Sequence, residues 1–271
     1  MKVAAIQMVS GTALDDNLRV ARELLEQAAL GGAELAVLPE YFCLMGHKDT
    51  DKLALRETAG AGVIQQFLAD TARALQIWIV GGTLPMATDA PDRVRNTTLV
   101  FDPTGACVAR YDKIHLFRFS NGAEQYDEGR VIDAGDTPVQ FDLQARSGQR
   151  WRVGLSVCYD LRFPELYRAH ARAGADLLLV PSAFTRTTGQ AHWEVLLRAR
   201  AVENLAYVLA PAQGGVHANG RHTWGHSMLV DPWGSILAQR GQGAGVVAGE
   251  LDAQRLSAVR AQLPALTHRV L

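Results

Sequence analysis

Cysteine is scarce in this sequence, and its spacing limits the kinds of protein that the sequence can encode. The 271 residues contain three cysteines, Cys43, Cys107 and Cys158, which lie far apart and form no C-x-x-C pair. An odd number at this spacing argues against a disulfide framework and against a zinc site. The sequence therefore predicts a reduced, cytoplasmic protein with no disulfide framework and no zinc site.

Charge of one sign and long hydrophobic runs are also lacking. The formal net charge is −1 and no basic stripe occurs, so we expect neither nucleic acid nor an anionic membrane as a partner. No apolar run approaches the roughly 20 residues that a membrane helix needs. The N-terminus enters a strand-like pattern at once, which is unlike a signal peptide.

The sequence does contain a regular alternation of short apolar runs and amphipathic segments, which indicates an α/β protein. No linker rich in Pro, Gly or Ser divides it, so we expect a single domain spanning residues 1–271. The pattern predicts helices at 16–30, 63–75, 164–172 and 193–206, and strands at 3–8, 35–38, 77–80, 96–101, 107–111, 153–158, 177–180, 207–210 and 227–230. Gly189 is expected in the turn before the last helix, and Trp193 and Glu194 at its start.

The two halves of the chain resemble each other. Residues 32–42 align without a gap with residues 174–184, and residues 99–105 resemble residues 228–234. Two copies of one β-α-β-α-hairpin unit would each cover one face of a sheet with helices and pack the other face on its twin. We therefore predict an α/β four-layer α-β-β-α sandwich of two pseudo-symmetric halves.

Cys158 is the first candidate for chemistry. It lies where an apolar strand turns into a helix that is expected to begin at Pro164. The positive end of a helix dipole favours the thiolate, which is the reactive form of cysteine. Burial in the core is the competing explanation, because free cysteines are often buried. The local pattern alone leaves both open.

Two charged residues at strand ends complement this thiol. Glu40 directly follows the strand at 35–38, in the half opposite Cys158, where a carboxylate could take the thiol proton. Lys113 follows the strand at 107–111 among apolar neighbours, which favours partial burial beside an anion such as Glu40. For both residues, an exposed position on the surface is the competing explanation.

Three separated motifs then point to a family. Leu-Pro-Glu-Tyr-Phe (38–42), Tyr-Asp-Lys-Ile-His-Leu-Phe (111–117) and Val-Cys-Tyr-Asp-Leu-Arg-Phe-Pro-Glu (157–165) resemble the nitrilase (carbon–nitrogen hydrolase) superfamily, in the order of its Glu–Lys–Cys triad. The resemblance extends from residue 3 to about residue 268. It implies the same α-β-β-α sandwich, an enzyme without cofactor or metal, and a homodimer.

The resemblance also implies roles for individual residues. Glu40 would be the general base, Lys113 the cation that stabilises the oxyanion, and Cys158 the nucleophile, with the backbone N–H of Tyr159 as a second oxyanion donor. The spacing of residues 126–136 implies that Glu128 is the family's second glutamate. Its acidic neighbours at positions 124 and 127 are the alternatives.

The residues after the cysteine resemble the Nit branch, which contains ω-amidases and deaminated-glutathione amidases, and residues 193–201 are closer to the second group. Both groups hydrolyse γ-amides of 2-oxoglutarate, and they differ in releasing ammonia or cysteinylglycine. Arg162 could bind the substrate carboxylate, unless it is a surface arginine, and Phe184 and Thr188 match positions that shape the acyl pocket. A catalytically silent binding protein with the same fold is the alternative from another class.

Overall fold

The computed structural model describes residues 1–122 and 125–270, and this part of the chain forms two large sheets and a small hairpin. The helices are α1 (Leu14–Leu30), α2 (Val63–Leu75), α3 (Pro164–Arg172), α4 (Arg186–Asn204) and α5 (Ala253–Gln262). The strands are β1 (Lys2–Gln7), β2 (Leu35–Val37), β3 (Trp78–Val80), β4 (Leu84–Ala87), β5 (Val94–Phe101), β6 (Cys107–Asp112), β7 (Arg118–Ser120), β8 (Gln125–Asp127), β9 (Gln140–Gln144), β10 (Arg150–Leu155), β11 (Leu177–Leu179), β12 (Tyr207–Ala210), β13 (Met228–Val230), β14 (Ile236–Gln239) and β15 (Gly245–Glu250).

The two large sheets have the same pattern of strand pairing. In the first sheet, β1, β2 and β3 are parallel, and β15 and β5 add antiparallel neighbours at either side. In the second sheet, β10, β11 and β12 are parallel, with β9 and β13 as the antiparallel neighbours. Because helices connect the parallel strands in both halves, the predicted pseudo-symmetry is present in the fold.

The alternation of side chains along β1 explains the layers. Val3 and Ala5 belong to the same core cluster as residues of the second sheet, whereas Ala4 and Ile6 pack with residues of helices α1 and α2. Successive side chains of a strand point to opposite faces of its sheet. A strand that is covered on both faces must therefore be apolar at nearly every position, as β1 is.

The first helix begins at Leu14, two residues before its predicted start, and the predicted start of the helix at 193–206 is wrong by seven residues. Helix α4 begins at Arg186 rather than near Trp193, because Thr185 caps it and its Oγ1 accepts a hydrogen bond from the Thr188 N–H at 3.3 Å. Gly189 lies within this helix instead of in a turn. A Cβ at this glycine would lie 2.2 Å from the Cβ of Trp224, so close packing explains a residue that resembles a helix breaker.

The predicted helices at 63–75 and 164–172 have the observed boundaries. Strand β10 ends at Leu155, before Cys158, which lies in a short 3-10 turn instead of at the strand end. No helix in the described ranges combines the length and the apolar composition that crossing a bilayer requires.

Candidate active site

A buried lysine between two glutamates is the centre of the candidate site. Lys113 follows β6 and is 1% exposed. Its Nζ donates to Glu40 Oε1 at 2.8 Å and to Glu128 Oε1 and Oε2 at 3.0 and 2.8 Å. Burial alone would lower the pKa of Lys113, but the charges of Glu128 and Glu40 outweigh it and raise this pKa above its ordinary value. The ammonium therefore stays charged at neutral pH.

Glu40 joins the two halves of the fold at this site. Its Oε1 accepts from Lys113 and from Asn96 Nδ2 at 3.0 Å, and its Oε2 accepts from the backbone N–H of Ala183 at 3.0 Å. The carboxylate is 1% exposed. Each hydrogen bond fixes an oxygen, so the side chain is held in one orientation next to Cys158, with which it also interacts.

Glu128 lies in a short 3-10 turn after β8 and faces the same lysine. It accepts from Tyr41 Oη at 2.6 Å and from the Phe117 N–H at 2.7 Å. Burial would raise the pKa of Glu128, but the Lys113 ammonium and these donors lower it, so the group is a carboxylate. Asp127 instead accepts from the Gly129 N–H at 3.2 Å, and position 124 lies outside the described residues.

The backbone of Cys158 is in the left-handed region, with φ of 48°, which is unusual for a residue other than glycine. Its N–H donates to Pro181 O at 2.9 Å, which ties the turn to the second sheet. Burial and then the negative charge of Glu40 raise the pKa of the Cys158 thiol well above its ordinary value. Burial beside a carboxylate thus opposes the effect of the helix dipole, which favours the thiolate but belongs to a helix that begins only at Pro164.

Asp160 holds the turn that carries this cysteine. The carboxylate is fully buried and accepts from the Val157 N–H at 2.8 Å, from Tyr111 Oη at 2.7 Å and from the His115 N–H at 3.0 Å. Tyr111 and His115 lie on either side of Lys113 in sequence. The same carboxylate thus fixes the nucleophile's turn relative to the loop of Lys113.

Glu40, Glu128 and Cys158 line one cavity. Tyr159 and Arg162 also line it, as do Phe184 and Thr188, so the residues expected from sequence to bind substrate come together here. Within the described residues, no group of three or more His, Cys, Asp or Glu side chains is placed to hold a metal ion.

Tyr159 and Arg162 shape one wall of this cavity. The Tyr159 ring meets the Phe117 ring edge to face at 5.2 Å, and the Arg162 guanidinium lies 5.8 Å from the centre of the Tyr159 ring and 5.4 Å from that of Phe184. Arg162 Nη1 lies 3.2 Å from His192 Nδ1. Arg162 is therefore a partly exposed arginine that lines the cavity and contacts two aromatic rings.

The sequence reasoning missed three residues of the site. Asn96 and Tyr41 bind the two glutamates, and Arg221 lines the cavity from the loop before β13. Tyr41 directly follows Glu40, so the Leu-Pro-Glu-Tyr-Phe motif contained a signal for it. Neither Asn96, in the middle of a strand, nor Arg221, in a loop without periodicity, carries a comparable local signal.

Comparisons with known proteins agree with this arrangement. Residues 2–261 match the family model described as carbon–nitrogen hydrolase. The chain is 45% identical over 270 residues to a protein of Synechocystis named deaminated glutathione amidase, and the match covers 98% of this chain and 97% of the relative.

Solved structures of similar proteins have the same fold. Nit3 of Saccharomyces cerevisiae, a member of branch 10 of the nitrilase superfamily, has a TM-score of 0.86 at 31% identity, covering 97% of this chain and 94% of that one. The NitFhit protein of C. elegans has a TM-score of 0.89 at 36% identity, covering 99% of this chain and 65% of that longer one. These likenesses confirm the predicted α-β-β-α sandwich.

Proposed function

This chain belongs to the carbon–nitrogen hydrolase family, as its three motifs predicted, and on that premise we propose that it is an amidase that hydrolyses deaminated glutathione. This substrate is the γ-amide of 2-oxoglutarate with cysteinylglycine, and hydrolysis releases these two products. The observation that carries the proposal is the buried Glu40–Lys113–Glu128 cluster beside Cys158. The name of the Synechocystis relative supports the choice of substrate.

In the proposed first step, Glu40 takes the Cys158 proton while the sulfur attacks the γ-carbonyl carbon. The raised pKa of the thiol means that this proton is present in the free enzyme, so a base in contact is needed. The tetrahedral oxyanion collapses, the C–N bond breaks, and Glu40 returns the proton to the leaving amine. A thioester to Cys158 remains.

We assign the oxyanion to two donors, Lys113 and the backbone N–H of Tyr159. An ammonium has three N–H donors, and those of Lys113 contact Glu40 Oε1 and both oxygens of Glu128. The oxyanion would take the donor of the longer of the two Glu128 contacts, the one to Oε1 at 3.0 Å, while Glu128 Oε2 keeps the other. The Tyr159 N–H donates to no other group in the described part of the chain. Each such donor typically stabilises an oxyanion by about 3–4 kcal/mol.

In the proposed second step, Glu40 deprotonates a water molecule that attacks the thioester. The C–S bond breaks, 2-oxoglutarate leaves, and the proton returns to the thiol. Glu128 holds Lys113 in place throughout, and no metal or organic cofactor takes part. Residues 1–271 act in this proposal as one domain, since Glu40 and Cys158 belong to opposite halves.

Cys158→Ala tests the nucleophile. We expect it to abolish the release of 2-oxoglutarate from deaminated glutathione while the thermal unfolding temperature changes little. Cys43→Ala is the matched control, because Cys43 is also buried but does not line the cavity. Retained activity in Cys158→Ala would refute the mechanism. A catalytically silent binding protein would show no activity even before mutation.

A comparison of two substrates tests the branch of the family. Deaminated glutathione and 2-oxoglutaramate have the same acyl part and differ in releasing cysteinylglycine or ammonia. We expect the higher kcat/KM with deaminated glutathione. A clear preference for 2-oxoglutaramate would identify an ω-amidase instead and overturn the proposed substrate.

We further propose a cytoplasmic homodimer, as the family resemblance implies. Exposed apolar side chains on helix α4 and the adjacent turn support it: Val202 is 46% and Trp233 is 49% exposed. These lie close together, since a Cβ at Gly234 would meet Val202 at 2.7 Å. Light scattering of the purified protein would measure the oligomeric state.

A further inference from the structure

Arg221 lines the active-site cavity, but no step of the proposed chemistry uses it. Its Nε is buried and has no hydrogen-bond partner, and its Nη1 has only a 4.0 Å contact with Met45 Sδ among the described residues. A guanidinium has five N–H donors and no acceptor. Because a buried donor without an acceptor is costly, this arrangement indicates an anionic group that arrives with the ligand.

The two cavity arginines lie against different walls. Arg162 lies over the rings of Tyr159 and Phe184, at 5.8 and 5.4 Å. Arg221 lies over the ring of Tyr126 at 4.9 Å and contacts Met45. Aromatic rings thus contact both guanidinium groups, and the Nε–H of Arg221 remains without an acceptor among the described residues. The cavity that contains Cys158 thus has two cationic positions, each in contact with different aromatic rings.

We propose that Arg221 binds the carboxylate of the leaving amine while Arg162 binds the carboxylate of the keto acid. This inference rests on the proposed function. Deaminated glutathione has a carboxylate at each end, one beside the keto group and one on its terminal glycine, and the scissile amide lies between them. An amide that releases ammonia has only the first. Arg221 is therefore the residue that selects a peptide-like amine with a free C-terminus.

The test removes the proposed contact between Arg221 and the glycine carboxylate, in one arm by changing the substrate and in the other by changing the enzyme. The substrates are deaminated glutathione and its analogue with a C-terminal carboxamide, which lacks the glycine charge and is otherwise nearly identical. The enzymes are the full-length wild type, Arg221→Gln and Arg221→Lys. We expect the wild type to prefer the free acid by about 10- to 100-fold in kcat/KM, mainly through KM, as for a lost charge-assisted hydrogen-bond pair.

Arg221→Gln should reduce this preference to about threefold or less, because the contact is already absent from the enzyme. Arg221→Lys keeps the charge but loses the planar fork, so an intermediate preference is expected. Arg186→Gln is the matched control: this arginine is exposed on helix α4 and does not line the cavity, so the full preference should remain. Thermal unfolding of each variant reports on folding.

Three results would overturn the proposal. Equal kcat/KM values of the wild type for the free acid and for the carboxamide analogue would show that no residue of the enzyme binds the C-terminal carboxylate. An Arg221→Gln variant that loses activity on both substrates by the same factor would give Arg221 a merely structural role. A wild type that hydrolyses 2-oxoglutaramate but neither peptide amide would refute the proposed substrate as well, and this outcome is distinct from the first two.

Discussion

The neutral substitution Glu128→Gln tests whether the second glutamate positions the catalytic lysine. Glu128 provides two of the three oxygens that Lys113 contacts, at 3.0 and 2.8 Å, and it also accepts from Tyr41 and Phe117. A glutamine has one acceptor oxygen, and its amide nitrogen is a donor. At least one of the three donors around Glu128 therefore loses its acceptor in the variant.

The size of the effect follows from the lost bond. A hydrogen bond to a charged group contributes about 1.5–3 kcal/mol. If the hydrogen bond to Glu128 keeps Lys113 directed at the oxyanion, the loss of this bond reduces kcat by roughly 10- to 150-fold, since about 1.4 kcal/mol corresponds to a factor of ten. We expect KM to change less, because Glu128 acts through Lys113 rather than on the substrate.

The assay is the steady-state release of 2-oxoglutarate from deaminated glutathione, with urea unfolding measured on the same preparations. Glu165→Gln is the control, because this carboxylate is exposed in the first turn of helix α3 and should tolerate the change. A folded Glu128→Gln enzyme with kcat within about threefold of wild type would refute the positioning role, given the energies expected for such bonds.

Two further predictions concern stability. Burial raises the pKa of Cys43 from 9.0 to about 12, so the unfolded chain loses this proton first as the pH rises. The stability of wild type relative to Cys43→Ala should then fall by about 1.4 kcal/mol per pH unit above about pH 9, and a pH-independent difference in urea unfolding would contradict this. Gly154→Ala should lower the free energy of unfolding by about 1–3 kcal/mol, because its Cβ would lie 2.7 Å from His170 Cγ. Gly241→Ala has open space, and an equal loss there would argue against the clash.

Much of the fold could be predicted because its signals are local or repeated. The strands are short apolar runs between polar turns, and the ungapped match between residues 32–42 and 174–184 revealed the two halves. The start of helix α4 was missed because Gly189 resembles a helix breaker. A glycine is needed at this position because Trp224 packs against it, and a contact between residues so far apart in sequence leaves no local pattern.

The candidate site, like the fold, could be predicted from the sequence only in part. Glu40, Lys113 and Cys158 were found because each lies in a motif at the end of a predicted strand. Their ionisation could not be predicted from the motifs: the thiol's raised pKa results from burial and from Glu40, which is distant in sequence. Arg221 was missed for a related reason, since only the folded chain brings its loop to the cavity that holds Cys158.

The shared pairing of the two sheets assigns each of the two catalytic positions a counterpart in the other half. Val3 pairs with Leu35 as Val153 pairs with Leu177, so the counterparts of Cys158 and Glu40 are the buried residues Met8 and Ser182. The left-handed backbone of Cys158 has no equivalent at Met8, so the turn that presents the nucleophile occurs in the second half and not at its counterpart in the first. The equivalence of the two halves is broken at these positions, and one active site takes its nucleophile from one half and its base from the other.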